Sequence, residues 1–257
     1  MSLRHLPLRD ILKQIRDGTL SAADLAESVI DCHDETLGAY RDFRPDSVRQ
    51  AALLSDAAFA CGTDFGPMQG IPVSVKDLYG LNGTETYAGS PQALPAPYQV
   101  EGPVVSVLRR QLAVFTGKSH TVEFAFGGLG VNNHWTTPRN PWDADSHRVS
   151  GGSSCGAGVS LQEGSAWVAL GSDTAGSVRV PASMTGTVGL KTSYGRWPLA
   201  GIFPLSPTLD TAGILTRTVA DALVGFAAID PYYQGPVSYT HLRAHETRHD
   251  LVCRLLL

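Results

Sequence analysis

The chain has 257 residues, which is enough for one domain with a sizeable packed core. Apolar residues make up 43% of the chain and charged residues 17%, a composition that excludes a largely disordered protein. The formal net charge of -4 at pH 7 argues against a nucleic-acid-binding surface and against a basic membrane-binding face, so we expect neither partner.

The start of the chain and its cysteines bear on the cellular compartment. Residues 1–25 carry scattered charges without an apolar core, and no stretch reaches about 18 consecutive apolar residues, so we expect neither an export signal nor a membrane span. The four cysteines are widely spaced and form no C-x-x-C pair. This spacing favours a reducing cytoplasm as the compartment.

Two helices are predicted first, over residues 8–17 and 22–31. The first places its apolar side chains on one face, and Ser21 with Asp24 is typical of the start of the second. Around residue 70 the pattern changes to the alternating apolar and polar residues of GIPVSVKDL, which predict a strand. Lys76 lies near the end of this strand.

A β-α-β order follows. After a loop over residues 80–102, a helix is predicted around Val104–Gln111, and the apolar strand LAVFTGK ends at Lys118. The segment from Gly127 to Gly158 is predicted to be mostly loop, and a loop of this length in a compact domain is usually functional or disordered.

The chain continues with a short helix, the strand SAWVALGSD and a Gly/Ser-rich loop over residues 171–177. Thr218 with Asp221 predicts a capped helix that reaches about Ile229. From about Pro236 onward the sequence follows no periodicity shared with the rest.

Two Gly/Ser-rich loops are candidates for chemistry: SGGSSCGAG at residues 150–158 and GSDTAGSVRVP at residues 171–181. Glycines let the backbone approach a ligand closely, and a serine that enters a helix lies where free N–H groups can hold an oxyanion. The pair can therefore form an acyl-transfer site. Ordinary tight turns are the alternative explanation for the same composition.

A serine nucleophile needs a base, which in most hydrolases is a histidine. No histidine before the last 22 residues lies in an evident Ser/His/Asp arrangement. A lysine can replace it when burial lowers its pKa enough to keep the amine neutral. Lys76, Lys118 and Lys191 each lie at or near a predicted strand end, so the residues alone do not choose among them.

Five blocks of the sequence together resemble the amidase signature family. They occur in the family's order over roughly residues 5–230: GIPVSVKDL, GKSHTVEFAFG, NNHWTTPRNPWDADSHRVSGGSSCGAG, LGSDTAGSVRVPASMTGTVGLKTSYGR and SPTLDTAGILTRTVADAL. The resemblance is specific because several independent blocks agree. It implies an α/β fold with a mixed sheet covered by helices, and a hydrolase of carboxamide C–N bonds that uses no metal or organic cofactor.

The resemblance also implies a Ser-cisSer-Lys triad. Matched block by block, Lys76 is the base, Ser153 is the proton relay that follows a cis peptide bond, and Ser177 is the nucleophile. Neutral lysine would accept the relay's proton while the relay takes one from the nucleophile, which attacks the amide carbon and forms an acyl-enzyme. The oxyanion would be held by backbone N–H groups of the loop that ends at Ser177, among them those of Thr174, Ala175 and Gly176.

Other positions match the family less closely. Gly127 and Gly128 resemble its pocket-lining segment, so we expect them to bind substrate, although plain turn glycines would look the same. Cys155 stands where the family usually has Gly or Ser, and Ala175 where it often has Gly. Cys155 is also a rival nucleophile, but no basic partner for it is evident.

The last residues carry a competing motif. His245 and His249 belong to HETRH, which fits the H-E-x-x-H pattern of zinc peptidases. The surrounding VSYTHLRAHET resembles a translated sequencing adapter, so we expect residues 236–257 to be a non-native tail and residues 1–235 to be a partial amidase domain, truncated at its C-terminus. A metal site is then not expected, and a zinc peptidase is the alternative.

The expected partner is a small-molecule amide substrate. One alternative keeps the chemistry and changes the role. The chain would then be the glutamine-hydrolysing A subunit of a tRNA-dependent amidotransferase, which delivers ammonia to partner subunits.

Overall fold

The computed structural model describes residues 3–233, and a six-stranded mixed sheet forms their centre. The strands are β1 (Tyr40–Phe43), β2 (Pro72–Lys76), β3 (Val114–Ser119), β4 (Val168–Asp173), β5 (Val188–Lys191) and β6 (Thr211–Thr216). The α-helices of this part of the chain are α1 (Leu8–Arg16), α2 (Ala22–Cys32), α3 (Pro45–Ala60), α4 (Pro103–Arg110), α5 (Cys155–Glu163), α6 (Arg179–Thr185) and α7 (Val219–Ile229). The predicted α/β class and mixed sheet are confirmed.

The order of the strands determines where the functional residues meet. Across the sheet the order is β1-β3-β2-β4-β6-β5. Strands β3, β2 and β4 run parallel at the centre, and the others pair antiparallel to their neighbours. The carboxyl ends of parallel strands lie at one edge of a sheet, which is where open α/β sheets bind ligands. Lys76, Ser119 and Asp173 end the three central strands at this edge.

The core lies on both faces of the sheet. Val168 and Leu170 of β4 face a large apolar cluster that includes residues of α1, α4 and α7, whereas Ala169 between them faces a smaller cluster with α5 and α6. Strand β2 is buried along its whole length. Its polar residue Ser74 is turned toward α5, where its hydroxyl lies 2.8 Å from that of Ser160.

The two helices predicted near the start of the chain and the helix predicted to reach Ile229 are confirmed as α1, α2 and α7. The Ser21 hydroxyl accepts a hydrogen bond from the N–H of Asp24 at the start of α2, and Thr218 does the same for Asp221 at the start of α7. Helix α5 begins at Cys155, so the end of the predicted long loop is helical. No helix within residues 3–233 is long and apolar enough to cross a membrane.

Sequence patterns did not predict helix α3 or strand β1. Helix α3 begins at Pro45 without a side-chain cap, and its buried positions are mostly small residues such as Ala52 and Ser55, so it lacks a clear apolar stripe. Strand β1 has only four residues and pairs with one neighbour, β3, at the edge of the sheet. Both elements are defined by tertiary packing more than by local pattern.

Replacing Gly156 with Ala should destabilise the fold. Such a change inside a helix normally stabilises by up to about 1 kcal/mol. Here the new Cβ atom would overlap the Ala39 carbonyl oxygen and lie 2.6 Å from the His120 nitrogen, both of them backbone atoms. We expect the free energy of unfolding to fall by about 1–3 kcal/mol in a denaturant titration, as for an overpacked core.

Gly128→Ala is the matched control, since no described residue other than its chain neighbours has a heavy atom within 4 Å of a Cβ built there. Its free energy of unfolding should stay within about 0.5 kcal/mol of the parent value. Equal effects of the two substitutions would contradict the close approach of α5 to the end of β3.

Candidate active site

The structure brings Lys76, Ser153 and the loop of Ser177 together at the carboxyl edge of the central strands. Lys76 ends β2, Ser153 lies in the loop before α5, and Ser177 lies in the loop between β4 and α6. The Nζ atom of Lys76 is hydrogen-bonded to Ser153 Oγ at 2.8 Å and to Ser172 Oγ at 3.0 Å. Lys76 is fully buried, so both of these partners are hydroxyls in the protein interior.

Burial dominates the electrostatics of Lys76. It lowers the pKa of the amine from its ordinary value of 10.5 to about 7, and the opposing effects of Cys155, Asp173 and Asp210 are smaller. Within residues 3–233, this amine makes its hydrogen bonds to hydroxyls and none to a carboxylate. Around neutral pH a substantial fraction of Lys76 is therefore uncharged.

Lys118 is equally buried but has a different set of partners. Its Nζ atom lies 3.0 Å from Asp77 Oδ1 in an ion pair and donates to the Tyr79 carbonyl oxygen at 2.5 Å and to Thr86 Oγ1 at 2.9 Å. Burial lowers the pKa of this lysine, and the Asp77 carboxylate opposes that effect. Asp77 also pairs with Arg41 at 2.9 Å, so this carboxylate lies between two cations.

Lys191 is the third lysine that the sequence left open. Its side chain donates to the carbonyl oxygen of Thr192 at 2.7 Å and is only partly buried. No bond joins it to a serine hydroxyl of the two Gly/Ser-rich loops. Of the three candidates, Lys76 is thus the one whose amine contacts such a hydroxyl.

The two Gly/Ser-rich loops are tied to each other by backbone contacts. The Ser154 N–H donates to the Ser177 carbonyl oxygen at 3.2 Å, and the Val122 N–H donates to the Ser153 carbonyl oxygen at 3.1 Å. The Gly152–Ser153 peptide bond is cis, as the resemblance implies. Ser153 is fully buried.

The loop that carries Ser177 is organised by Asp173. This carboxylate accepts hydrogen bonds from the N–H groups of Gly176 at 2.8 Å and Val178 at 3.1 Å, and from Arg179 Nε at 3.0 Å and Nη2 at 2.9 Å. Burial works against its ionisation, but the hydrogen bonds from Arg179 and these amides together hold the pKa of Asp173 below its ordinary value. The loop is therefore built around a buried negative charge.

Three of the four N–H groups expected at the oxyanion site are unengaged. Within residues 3–233 no acceptor takes a hydrogen bond from the N–H of Thr174, Ala175 or Ser177. The N–H of Gly176 is held by Asp173 instead. The Ser177 hydroxyl is only partly buried and has no hydrogen-bond partner in the same part of the chain.

Gly127 and Gly128 lie beside Ser177. All three line a cavity of about 510 Å³, together with Ala125, Phe126, Gly152, Thr174, Ala175, Gly176, Val180, Leu205 and Ser206. The Gly128 carbonyl oxygen accepts a hydrogen bond from the Gly152 N–H at 2.8 Å, which joins this segment to the loop of Ser153. The size of the cavity is typical of a small-molecule site.

Sequence reasoning missed Ser172 and Asp173. Both are polar residues at the end of the otherwise apolar strand β4. Buried polar side chains in native proteins are nearly always hydrogen-bonded, so their presence there was a usable signal. The pattern did not indicate that Lys76 is the hydrogen-bond partner of Ser172 or that Arg179 is that of Asp173.

Cys155 is fully buried at the start of α5. Burial raises the pKa of its thiol to about 12, although nearby Lys76 acts in the opposite direction. The thiol is therefore protonated at neutral pH, unlike a reactive cysteine. The described residues hold no cluster of three or more His, Cys, Asp and Glu that could bind a metal ion.

Comparisons with known proteins show what the whole described chain is similar to. The family model described as Amidase matches residues 26–247. A 2-amino-5-chloromuconic acid deaminase of Comamonas testosteroni is 56% identical over 238 residues, 91% of this chain and 52% of that protein. The A subunit of a glutamyl-tRNA(Gln) amidotransferase from Carboxydothermus hydrogenoformans is 37% identical over 227 residues, 86% of this chain and 46% of that protein. A crystal structure of an amidase aligns with a TM-score of 0.84 and 31% identity, covering 98% of this chain and 60% of the other.

The chain spans about half the length of the curated relatives it matches. The family match runs past residue 235, where we expect the partial domain to end. Residues 234–257 lie outside the described part of the structure, and HETRH lies among them. The domain boundary, the non-native tail and the alternative zinc site therefore stay predictions.

Replacing Lys76 with Met should change how stability depends on pH. The pKa of Lys76 is about 7 in the folded protein and 10.5 ordinarily, so between these values the unfolded chain binds a proton that the folded chain does not. Stability of the parent should rise with pH across this window by about 1.4 kcal/mol per pH unit, relative to Lys76→Met. Denaturant titrations at several pH values measure the difference.

Lys13→Met is the control for this experiment, because Lys13 is exposed on α1. A constant difference between the parent and Lys76→Met over the window would show that the buried amine does not lose its proton there.

Proposed function

Because this chain belongs to the amidase family, we propose that it hydrolyses a carboxamide C–N bond through an acyl-enzyme on Ser177. The observation that carries the proposal is the hydrogen bond of 2.8 Å between the buried Lys76 amine and Ser153 Oγ. An amine with a pKa of about 7 is neutral in a substantial fraction of molecules at neutral pH and can then accept a proton from a hydroxyl, which a permanently charged lysine cannot do.

In the proposed first step, Ser177 Oγ attacks the amide carbon. Its proton passes to Ser153 Oγ while the Ser153 proton passes to Lys76 Nζ. The tetrahedral intermediate then collapses and the C–N bond breaks. Lys76 returns its proton by way of Ser153 to the leaving nitrogen. Water then attacks the acyl ester while its proton passes through Ser153 to Lys76. The proton returns by the same path to Ser177 Oγ as the ester bond breaks and the carboxylic acid leaves.

We assign stabilisation of the intermediate to backbone N–H groups of the loop at the end of β4. Those of Thr174, Ala175 and Ser177 are unengaged among the described residues, and the Asp173 carboxylate fixes the loop through Gly176. Preorganised donors of this kind contribute about 3 kcal/mol each to transition-state stabilisation when tested by mutation. Gly176 then contributes through the shape of the loop rather than as a free donor.

The proposed steps require only side chains, backbone and water. The substrate is a small-molecule amide whose reacting group lies near Gly127 and Gly128, in the cavity that they share with Ser177. We also propose the cytoplasm as the compartment. The three cysteines within the described residues are free, which suits a reducing environment.

A second candidate substrate class comes from the deaminase of Comamonas testosteroni. Its 56% identity exceeds the 37% of the amidotransferase relative, and its name describes loss of an amino group from 2-amino-5-chloromuconic acid. The chain would then break the C–N bond of an aminomuconate. Ammonia release from a 2-aminomuconate, compared with release from acetamide and benzamide, separates the two candidates.

The amidotransferase role would require glutamine hydrolysis together with partner subunits. Hydrolysis of simple amides by the chain alone, with no hydrolysis of glutamine, would contradict that role. The relatives named as A subunits of glutamyl-tRNA(Gln) amidotransferases support it at 34% to 37% identity.

Replacing Ser177 with Ala should abolish hydrolysis, because the acyl-enzyme has no other attachment point. We expect kcat to fall by at least about 10³-fold, as for other serine nucleophiles. Ammonia release measures the rate, and mass spectrometry after treatment with a phosphonate probe should locate the label on Ser177 of the parent.

Cys155→Ala is the matched control, since the Cys155 thiol is buried and protonated. This variant should keep its activity and its label. Loss of both in Cys155→Ala, with Ser177→Ala still active, would reverse the assignment of the nucleophile.

The rate of hydrolysis should fall at acidic pH because protonated Lys76 cannot act as the base. With a Lys76 pKa of about 7, kcat/KM should drop about tenfold per pH unit below that value. The measurement is kcat/KM for a neutral amide from acidic to mildly alkaline pH. A profile without an inflection between about pH 6 and 8 would count against Lys76 as the base.

A further inference from the structure

An additional cavity of about 450 Å³ adjoins the site on the side of Ser172 and Thr174. Ser172 holds the Lys76 amine, so the cavity lies directly next to the catalytic centre that we propose. Its wall is otherwise largely apolar and includes Leu78, Tyr98, Leu199, Ile202, Phe203 and Leu205. The mechanism proposed above does not use this space.

Among the described residues, Asp210 is the one charged side chain that lines this cavity. No Lys or Arg of the described chain lines it. The Asp210 carboxylate borders it but already accepts hydrogen bonds from Thr174 Oγ1 at 2.5 Å and from the N–H groups of Leu205 and Ser206, both at 2.9 Å. A ligand in the cavity therefore meets an apolar surface and one carboxylate that is already satisfied.

Aromatic side chains form part of the wall. The rings of Tyr98 and Phe203 meet edge to face with centroids 4.9 Å apart, and the ring of Phe124 also contacts Phe203, with centroids 5.4 Å apart. The backbone of Phe124 is in the left-handed region, with φ 48° and ψ 28°, which is unfavourable for a residue with a side chain. Its N–H donates a hydrogen bond to the Ala88 carbonyl oxygen at 2.7 Å, so a backbone contact supports this conformation.

We propose that this cavity binds a flat apolar segment of the substrate, such as an aryl ring or a conjugated carbon chain, and that Tyr98 and Phe203 determine this specificity. The proposal rests on amide hydrolysis at Ser177. Aromatic edges and faces pair well with a flat π system. The carboxylate group of free glutamine would lose water in this cavity without gaining a cationic partner, so glutamine is disfavoured there.

The first test measures binding without chemistry. In the Ser177→Ala chain, benzamide should bind about tenfold more tightly than acetamide, as judged by NMR titration, since only benzamide carries a ring. Adding Phe203→Ala should remove most of that advantage. Phe65→Ala is the matched control, because Phe65 is about half exposed and is absent from the lining of the cavity.

If Phe203→Ala does not fold, as judged by circular dichroism, Tyr98→Ala tests the same wall. Equal binding of the two amides, or equal effects of the Phe203 and Phe65 substitutions, would overturn the assignment of the cavity. An aromatic preference that depends on Phe203 or Tyr98 would support it.

The second test separates this inference from the proposed function. In the parent chain, kcat/KM for benzamide should exceed that for acetamide and for glutamine, and Phe203→Ala should lower the benzamide value about tenfold with a smaller effect on acetamide. Labelling of Ser177 without any aromatic preference would overturn the inference and leave the hydrolase proposal standing. Binding of benzamide that depends on Phe203, without hydrolysis of any amide, would support the inference about the cavity and contradict the hydrolase proposal.

Discussion

The rest of the site depends on the burial of the Lys76 amine among hydroxyl groups. A charged ammonium in the protein interior is costly unless a carboxylate compensates it. Lys118, on the adjacent strand β3, is just as buried and has Asp77 as that compensation. Lys76 has the hydroxyls of Ser153 and Ser172 instead, which carry no negative charge to compensate an ammonium. The difference between Lys118 and the proposed base Lys76 therefore lies in one neighbouring carboxylate.

This constraint explains the arrangement of charges around Lys76. Asp77 is the next residue in the chain, and Asp173 ends the adjacent strand β4. Either carboxylate, left alone, would favour protonated Lys76. Each is paired with other cations: Asp77 with Arg41 and Lys118, and Asp173 with Arg179. The same Asp173 charge also orders the loop of Ser177, so one ion pair limits the field at Lys76 and shapes the proposed oxyanion site.

Local patterns predicted the strand that ends at Lys76 and the helices with clear caps, because those features depend on neighbours in the chain. The choice among Lys76, Lys118 and Lys191 could not be made in this way, since it depends on partners 77 and 96 residues away in one case and 41 residues away in another. The resemblance to a family supplied what the residues did not. The engagement of the Gly176 N–H by Asp173 was beyond both, because composition and spacing do not show which amides of a loop already have an acceptor.

The proposed substrate cavity and the proposed oxyanion loop are physically linked through Asp210. This carboxylate joins Thr174, on the proposed oxyanion loop, to Leu205 and Ser206 on the opposite wall. Leu205 lines the cavity of Ser177, the apolar cavity beside Ser172 and a third cavity along residues 122–133. The same carboxylate therefore holds the Thr174 hydroxyl on one side and the backbone of Leu205 on the other. The position of Leu205 in the cavity walls and the order of the proposed oxyanion loop thus depend on one carboxylate.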